Sequence, residues 1–547
     1  MRTSQRRRGY DRAADTVTPT PWPIAILAGA GGGVLTVGAF PPYDQWMLLP
    51  CGLGLLTIAI LTRRWTVAAL ASFAWGLGFF IPLTQWANTY AGIEPWLALA
   101  VFEALYIVVF GVVARSVLVR RGPGLRSSLT VACLWVGCEL LRGTFPWGGL
   151  TWGASAFALA ESPLLNLGPW IGVAGLALIA SLLGQLLSGG ALLLVGRCRA
   201  RLGPIGGVWP IAAVCATVLV ATVVPLPVNE MPGGRSSVTV SGIQGSMGPI
   251  DPVSLAMPDD AFPNAVRTTD RAIQDAHERG QRLDLVVWPE DSVGIDPRVN
   301  PYYSSQLSRL ARDADAPLLV GTQTIVGEKN RYNNAILWTA DGDAPYVYAK
   351  RHPVPFGEYI PFRDFFRRLS PLVDMIGRDM LPGDKVGVFD IPSADGGPTA
   401  RAGVLICFEI AYDGLVQDTV RDGAQMLIIQ SNNALFGHSH EAIQQLAEAK
   451  VQAVVSGRSV VHVSTVGQSA IFAPDGRRLA YVDHWRQGAV TAQVPLRSGI
   501  TPAVAAGPWI GIGATVLGLI GWFAALIGTE RAVEPAVTRR RERGASK

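Results

Sequence analysis

Three reactive side chains follow short apolar runs in the second half of the chain. Glu290 comes after residues 285–288 and one proline, Lys350 opens a proline-rich loop, and Cys407 ends the run 404–407. A thiol is a strong nucleophile near neutral pH, but it reacts as the thiolate and therefore needs a base or a cation beside it. The three residue types together predict a site for covalent catalysis by a cysteine.

Each of these residues also has an ordinary structural explanation. A single cysteine after a strand more often belongs to the core, a glutamate after proline often caps a helix, and a lysine usually faces solvent. The combination of three such strand ends favours a catalytic site. Two further carboxylates lie close by in sequence, Glu358 in the loop after Lys350 and Glu409 two residues after Cys407.

The elements around these residues predict an α/β domain. From residue 236 onward, short β-rich runs alternate with amphipathic helical patterns, which is typical of stacked sheet and helix layers. Asp341–Gly342 and Asp475–Gly476 are typical of hairpin turns between neighbouring strands. The predicted strands are 237–243, 283–288, 318–321, 335–338, 402–407, 426–430 and 459–464, and the predicted helices are 263–279, 303–314 and 442–456.

The composition indicates a membrane protein with a soluble domain. Of the 547 residues, 49% are hydrophobic and only 16% are charged, against about 25% in soluble proteins. The deficit lies in the first half, so we expect a basic disordered N-terminus (1–20), a membrane domain (21–228), a catalytic domain (235–497), a last span (508–528) and a basic tail (529–547). The excess of base at the ends and in short loops, rather than on a folded face, argues against nucleic-acid binding.

Apolar runs of about 20 residues predict eight transmembrane helices. Basic residues cluster before the first run, after the second, fourth and sixth, and after the last, whereas the alternate loops lack Lys and Arg. Because positive charge marks the cytoplasmic side, both termini are expected inside and the catalytic domain outside. The predicted spans are 22–40, 46–61, 66–86, 96–118, 128–145, 168–195, 208–226 and 508–528.

Three ionisable residues fall within the predicted spans. Glu103, Glu139 and Arg142 are candidates for a functional site, because charged groups inside a membrane are costly. The alternative is that Glu139 and Arg142, three positions apart, neutralise each other on one helix face. The cysteines other than Cys407 lie in or beside apolar segments, so we expect no disulfide framework.

The segments around the three reactive residues resemble a known family. Leu285-Val-Val-Trp-Pro-Glu290, the loop at 348–359 and Val404-Leu-Ile-Cys-Phe-Glu409 look like the Glu–Lys–Cys motifs of the nitrilase, or carbon–nitrogen hydrolase, superfamily. With the flanking spans, nearly the whole chain resembles the apolipoprotein N-acyltransferases. This resemblance implies an α-β-β-α sandwich outside a membrane helical bundle of about eight helices, in the plasma membrane. Supporting segments are 243–245, 332–334, 352–359, 431–432, 457–458 and 473–476.

The resemblance also implies a reaction and a role for each residue. Cys407 would take an acyl chain from a membrane phospholipid as a thioester and pass it to the α-amine of a diacylglyceryl apolipoprotein. Glu290 would act as the general base, and Lys350 would lower the thiol pKa and stabilise the oxyanion. Glu358 and Glu409 would position Lys350. No cofactor and no metal are expected.

The chain departs from the family pattern around the site, and two alternatives stay open. Phe408 stands where tyrosine is common, and the other departures are Ser246, Asn433, Leu435 and Val455. The chain could instead be a membrane-tethered carbon–nitrogen hydrolase, or an inactive scaffold for a glycolipid-synthesis enzyme. The apolar residues after Lys350 predict an arm that dips toward the membrane or covers the pocket, or else ordinary core; they are Phe356, Ile360, Phe362, Phe365 and Phe366.

Overall fold

The computed structural model describes residues 18–195, 209–226, 235–248, 260–392 and 398–528. Most of the predicted basic N-terminus, the whole predicted tail at 529–547 and the predicted boundary between 228 and 235 lie outside these residues. So do most of the arginines that determine the predicted orientation.

The first part of the chain is helical. Its apolar runs are longer than typical strands, and few prolines lie away from the helix starts. Each of the first seven predicted spans lies on a helix. The helices are α1 (Trp22–Val37), α2 (Leu48–Ile60), α3 (Trp65–Leu83), α4 (Trp86–Ala91), α5 (Ile93–Arg121), α6 (Leu125–Arg142), α7 (Gly168–Leu194) and α8 (Trp209–Val223).

The second part contains thirteen strands and six helices within the described residues, followed by one long apolar helix. The strands are β1 (Ser237–Gln244), β2 (Leu285–Val287), β3 (Leu318–Val326), β4 (Asn330–Trp338), β5 (Tyr346–Ala349), β6 (Asp379–Met380), β7 (Val388–Ile391), β8 (Ala400–Ile406), β9 (Met426–Ser431), β10 (Ser459–Ser464), β11 (Ser469–Phe472), β12 (Arg478–Val482) and β13 (Gly488–Pro495). The helices are α9 (Ala261–Glu278), α10 (Pro301–Ala314), α11 (Arg363–Arg367), α12 (Asp413–Arg421), α13 (Glu441–Ser456), α14 (Pro502–Ala506) and the apolar α15 (Trp509–Ile527).

Four helices of the described chain are long and apolar enough to cross a membrane. They are α3, α5, α7 with the turn before it, and α15. Three others, α1, α2 and α8, are apolar but shorter. The chain therefore has several membrane-type helices, while the predicted number of eight spans stays a prediction.

The strands form two sheets with similar order. One runs β13-β1-β2-β3-β4-β5, with β6 beside β4, and the other runs β12-β11-β10-β9-β8-β7. Each has three parallel strands at its centre, β1–β3 and β8–β10, with antiparallel neighbours. The predicted strands and both predicted hairpin turns, between β4 and β5 and between β11 and β12, are confirmed.

Four layers result from the burial of both faces of each sheet. The inner faces share one apolar core. Helices α9 and α10 cover the outer face of the first sheet, around the buried Trp288, and α12 and α13 cover the outer face of the second. Parallel strands buried on both faces need continuous apolar runs, which explains why β2, β8 and β9 lack the alternation of an exposed strand.

The charged residues within the helical part do not pair as predicted. Arg142 lies 3.2 Å from Glu103 of α5, not against Glu139, and it also donates to the carbonyls of Leu150 and Trp152 at 2.8 Å each. Glu139 accepts instead from the backbone and hydroxyl of Ser155. Of the two interpretations left open by the sequence, the i, i+3 ion pair is therefore wrong. Arg142 turns toward the loop after α6, whose carbonyls would otherwise be buried without donors.

Candidate active site

The three predicted catalytic residues come together where β2, β5 and β8 end. In the first sheet β3 runs parallel to β2, and β4 and β5 then reverse direction twice, so β2 and β5 end at the same edge. The Nζ atom of Lys350 lies 3.6 Å from Oε1 of Glu290. Both charges act on the Cys407 thiol. Three residues that are far apart in sequence thus form one buried cluster.

Glu290 is fixed by the turn that follows β2. Its Oε1 accepts a hydrogen bond from the Asn333 side chain at 2.7 Å, and its Oε2 accepts from the backbone N–H of Asn432 at 2.8 Å. The turn passes so close to β3 that a Cβ on Gly321 would lie 2.4 Å from the Pro289 carbonyl oxygen. Only glycine at 321 allows this approach. The carboxylate is therefore positioned from three elements, with Oε1 also facing Lys350.

Lys350 is fully buried and is held mainly by Glu358. The Nζ atom lies 2.6 Å from Oε1 of Glu358, and Oε2 of Glu358 accepts from the backbone N–H of Val354 at 2.7 Å. A buried ammonium needs such partners, because desolvation strongly disfavours the charged form. This direct contact supports the predicted role of Glu358 in positioning Lys350.

Glu409 makes its hydrogen bonds to the backbone of the loop that carries Lys350, not to the ammonium group. It accepts from the backbone N–H groups of Arg351 at 2.7 Å and His352 at 3.0 Å. The Tyr348 hydroxyl lies 3.0 and 2.8 Å from its two oxygens, and the Ile406 N–H donates to it at 2.7 Å. One fully buried carboxylate therefore ties the end of β5 to the end of β8, which sets the spacing between cation and nucleophile.

Cys407 occupies a left-handed backbone conformation at the end of β8, with φ of 55°. Such a conformation is unfavourable for a residue with a Cβ and is concentrated at functional sites. The strand stops there, and a short 3-10 helix, Cys407–Ala411, begins. The sharp turn directs the thiol out of the sheet edge toward Glu290 and Lys350.

The charges of the site determine which group holds the proton. Burial and the charge of Glu290 raise the pKa of the Cys407 thiol well above its usual value, and they outweigh the lowering by Lys350. Lys350 therefore lowers the thiol pKa, as predicted, but burial and Glu290 have the larger effect in the resting site. Burial raises the pKa of Glu290 to about 7, although Lys350 opposes this. The pKa of Lys350 lies well above its usual value, since Glu358 and Glu290 outweigh its burial. The resting site thus holds a thiol, a base that titrates near neutrality, and a permanent cation.

Phe408 connects the nucleophile to the helical part. Its ring lies 4.7 Å from that of Trp152 and 5.6 Å from that of Trp86, between centroids. Trp152 donates in turn to the Gln444 side chain at 2.7 Å, and its carbonyl is held by Arg142. Phenylalanine, without a hydroxyl to satisfy, suits this dry aromatic cluster. The departure from tyrosine at 408 therefore has a packing explanation.

The aromatic arm after Lys350 lies against the loop that follows α6. Trp147 contacts the rings of Phe356, Phe362 and Phe366 at 5.5, 6.3 and 6.1 Å between centroids. Phe362 is 73% exposed and Phe365 is 57% exposed, whereas Ile360 is buried. Most of the arm is therefore not domain core, and it lies against the loop that follows the apolar helix α6.

Several residues of the site carried little signal in the sequence. Asn333 and Asn432 lie in segments that resemble the superfamily, but nothing local indicated that both would bind Glu290. Gln445 and Glu441 of α13 were not predicted at all. Gln445 donates toward the Cys407 sulfur at 3.6 Å. Among the described residues, no group of three or more His, Cys, Asp and Glu side chains could hold a metal ion.

Comparisons with known proteins match both parts of the chain. A family described as "Apolipoprotein N-acyltransferase N-terminal domain" matches residues 32–186, and one described as "Carbon-nitrogen hydrolase" matches residues 257–500. The apolipoprotein N-acyltransferase of Mycolicibacterium smegmatis is 34% identical over 94% of this chain and 87% of that protein. Those of Pseudomonas syringae pv. tomato and Photobacterium profundum are 28% and 26% identical, over 92% and 88% of this chain and 97% and 91% of theirs.

Proposed function

Because this chain belongs to the apolipoprotein N-acyltransferase family, we infer that it transfers an acyl chain to the N-terminal amine of bacterial lipoproteins. The observation that carries this inference is the buried Glu290–Lys350–Cys407 cluster, which Phe408 connects to Trp86 and Trp152 of the helical part. The acyl donor is a membrane phospholipid, and the acceptor is a diacylglyceryl apolipoprotein. Both substrates reside in a bilayer, so a membrane-bound acyltransferase has its thiol where they meet.

In the first half of the reaction, the thiol attacks the ester carbonyl of the phospholipid. Glu290 takes the thiol proton as the sulfur–carbon bond forms, which avoids a free buried thiolate. The oxyanion is stabilised by the Lys350 ammonium and a backbone N–H after the nucleophile; one such donor is worth about 3–4 kcal/mol. The carbon–oxygen bond then breaks, and Glu290 returns the proton to the departing lysophospholipid oxygen.

In the second half, the acceptor amine attacks the Cys407 thioester. Glu290, now ionised again, takes a proton from the attacking nitrogen. Lys350 again faces the oxyanion, and the carbon–sulfur bond breaks with expulsion of the thiolate, which recovers a proton. The products are the amide and the free enzyme. The same residues thus act twice, first when Cys407 receives the acyl chain and then when the amine receives it.

The same cluster would also serve a membrane-tethered carbon–nitrogen hydrolase, and the acceptor distinguishes the two. Purified protein incubated with phospholipid and a diacylglyceryl peptide is expected to yield N-acylated peptide and lysophospholipid in equal amounts, measured by mass spectrometry. A peptide already acetylated at its N-terminus is the matched control and should remain unchanged. Release of ammonia or free carboxylate from small amides, without N-acyl peptide, would favour the hydrolase.

We further propose eight membrane spans, with both termini in the cytoplasm and the catalytic domain outside. The supporting pattern is the alternation of basic and uncharged loops, together with the eight helices on which the predicted spans lie. On this proposal the membrane domain is 21–228 with a last span at 508–528, and the catalytic domain is 235–497.

The orientation predicts the behaviour of a fusion reporter. Alkaline phosphatase, which is active only outside the cytoplasm, should be active when fused after residue 230 and inactive when fused after residue 123. The reason is that the second junction lies between α5 and α6, where Arg120, Arg121 and Arg126 at the adjoining helix ends mark the cytoplasmic side. Activity in the reverse pattern would rule out the proposed orientation.

The aromatic arm is proposed to enter the outer leaflet or to cover the acyl pocket. Its exposed Phe362 and Phe365 lie beside Trp147, and aromatic rings are favoured at the membrane interface. A glycolipid-synthesis enzyme as partner stays a prediction without a supporting observation.

A further inference from the structure

Helix α13 has a polar face that is buried instead of exposed to water. Five residues at helical spacing are each at most 5% exposed, and they are Glu441, Gln444, Gln445, Glu448 and Gln452. A polar stripe on an amphipathic helix normally faces solvent, and buried polar groups require a reason. The Gln445 side chain offers one, because its Nε2 lies 3.6 Å from the Cys407 sulfur.

A chain of hydrogen bonds determines which end of the Gln445 amide faces the sulfur. The Asn433 side chain donates from Nδ2 to Oε2 of Glu441 at 2.7 Å and to Oε1 of Gln445 at 3.0 Å. Its Oδ1 accepts from the Ser464 hydroxyl. That hydroxyl accepts from the Gly467 N–H at 2.9 Å, so its own proton is free to point at Asn433.

The Glu441 carboxyl group sets the direction of this chain. Its Oε2 accepts when the group is ionised, and also when the proton lies on Oε1, which has no hydrogen-bond partner among the described residues. With Oε2 as the acceptor, Asn433 presents its NH2 group to Glu441, and the second N–H of that group reaches the oxygen of Gln445. The NH2 group of Gln445 is left facing the sulfur.

We propose that Gln445 is a further catalytic residue, which donates a hydrogen bond to the Cys407 sulfur, and that Glu441 positions it through Asn433. The proposal rests on Cys407 being the nucleophile of the proposed function. A donor at the sulfur favours thiolate over thiol, so it assists both the attack on the phospholipid and the later expulsion of the sulfur. It also gives a role to Asn433, where the family often has an aspartate.

Other charged and titratable groups face this arrangement and must be held constant in any test. Glu290, Lys350, Glu358 and Glu441 act on the thiol, and Glu441 acts on Glu448. The buried His462 ring lies 3.3 Å from Oε1 of Gln445 through Nε2. Variants that keep all of these groups except Glu441 therefore test the effect of the Gln445 side-chain amide on the thiol.

The test is the reactivity of Cys407 toward iodoacetamide in the purified full-length protein. Gln445→Met keeps the side-chain volume but removes the donor, and should raise the apparent thiol pKa by about one unit, so that the alkylation rate near neutral pH falls about tenfold. Gln452→Met is the matched control, because Gln452 is equally buried on the same helix and no hydrogen bond joins it to Cys407 or Asn433 in the described part of the chain. It should react as the wild type does. Mass spectrometry of the Cys407 peptide separates this cysteine from the others.

A second variant reverses the chain without removing the amide. In the double variant Asn433→Asp with Glu441→Gln, the new carboxylate only accepts hydrogen bonds when it is ionised, so above its pKa Gln445 turns its NH2 group toward that carboxylate and its oxygen toward the sulfur. We expect a wild-type unfolding temperature but the slow alkylation of Gln445→Met. Wild-type alkylation rates in either Gln445→Met or the double variant would overturn the proposal.

The alkylation result is independent of acyl transfer. If the wild type forms no thioester with phospholipid, the proposed function fails, while the comparison of alkylation rates still decides whether Gln445 acts on the sulfur.

Discussion

Replacing Cys407 with alanine is expected to abolish both the acyl-enzyme and the N-acylation of lipoproteins. The thiol forms the only covalent link in the proposed cycle, so the variant keeps substrate binding and oxyanion stabilisation without a nucleophile. In hydrolases with an activated nucleophile, removing that residue costs about 10⁶ in rate. A thioester of one acyl chain, detected by mass spectrometry of the wild-type protein incubated with phospholipid, should be absent from the variant.

Two controls separate chemistry from folding in this experiment. Cys51→Ala removes a cysteine that lies exposed on α2, and it should leave thioester formation unchanged. Cys407→Ser keeps the size of the side chain, but its hydroxyl is far less acidic than a thiol and should support at most traces of acylation. Cells that retain triacylated lipoproteins with Cys407→Ala as their sole copy would show that the enzyme hypothesis is wrong.

The sequence was informative about the site because the residues lie at strand ends. A strand that is buried on both faces is a continuous apolar run, so the polar residue that ends it is conspicuous. This made Glu290 and Cys407 visible, and Lys350 followed from the proline-rich loop. The same reasoning located the central strands of both sheets, which the structure confirms.

Contacts between distant elements could not be predicted in the same way. One of the two interpretations of the sequence paired Arg142 with Glu139 on its own helix, yet Arg142 reaches Glu103 on α5. Spacing along one helix shows which residues share a face, but not which neighbour covers that face. The polar face of α13 illustrates this limit, because a stripe of Glu and Gln predicts a solvated helix. In the structure the stripe is covered by the nucleophile and by Trp152.

The protonation state of the thiol could not be predicted from the sequence either. A lysine near a cysteine predicts a lowered thiol pKa, and Lys350 does act in that direction. Burial of the sulfur and the charge of Glu290 are larger effects, and both depend on how tightly the two sheets and the helical part close around the site. On the proposed mechanism, proton transfer to Glu290 therefore accompanies the attack, because a free thiolate at this buried position is disfavoured.

Replacing Glu290 with glutamine is therefore expected to lower the rate of thioester formation about 10²–10⁴-fold, the usual contribution of a general base. The wild-type acylation rate should rise with pH and level off above about 7, because only the ionised carboxylate accepts the thiol proton and burial raises the pKa of Glu290 to about 7. This ascending limb should be missing from Glu290→Gln. Single-turnover acylation with a fluorescent phospholipid, followed across the neutral pH range, measures both effects.

The position of the limb provides a further check on the assignment, because Lys350 lowers the pKa of Glu290 through its charge. Lys350→Met should therefore move the limb to higher pH, in addition to slowing the reaction through loss of the oxyanion contact. Glu328→Gln, at an exposed glutamate on the hairpin between β3 and β4, should leave both the rate and the limb unchanged. If Glu290→Gln retained the wild-type limb, another group would be the base. The carboxylate held by Asn333 and Asn432 would then serve only to anchor Lys350.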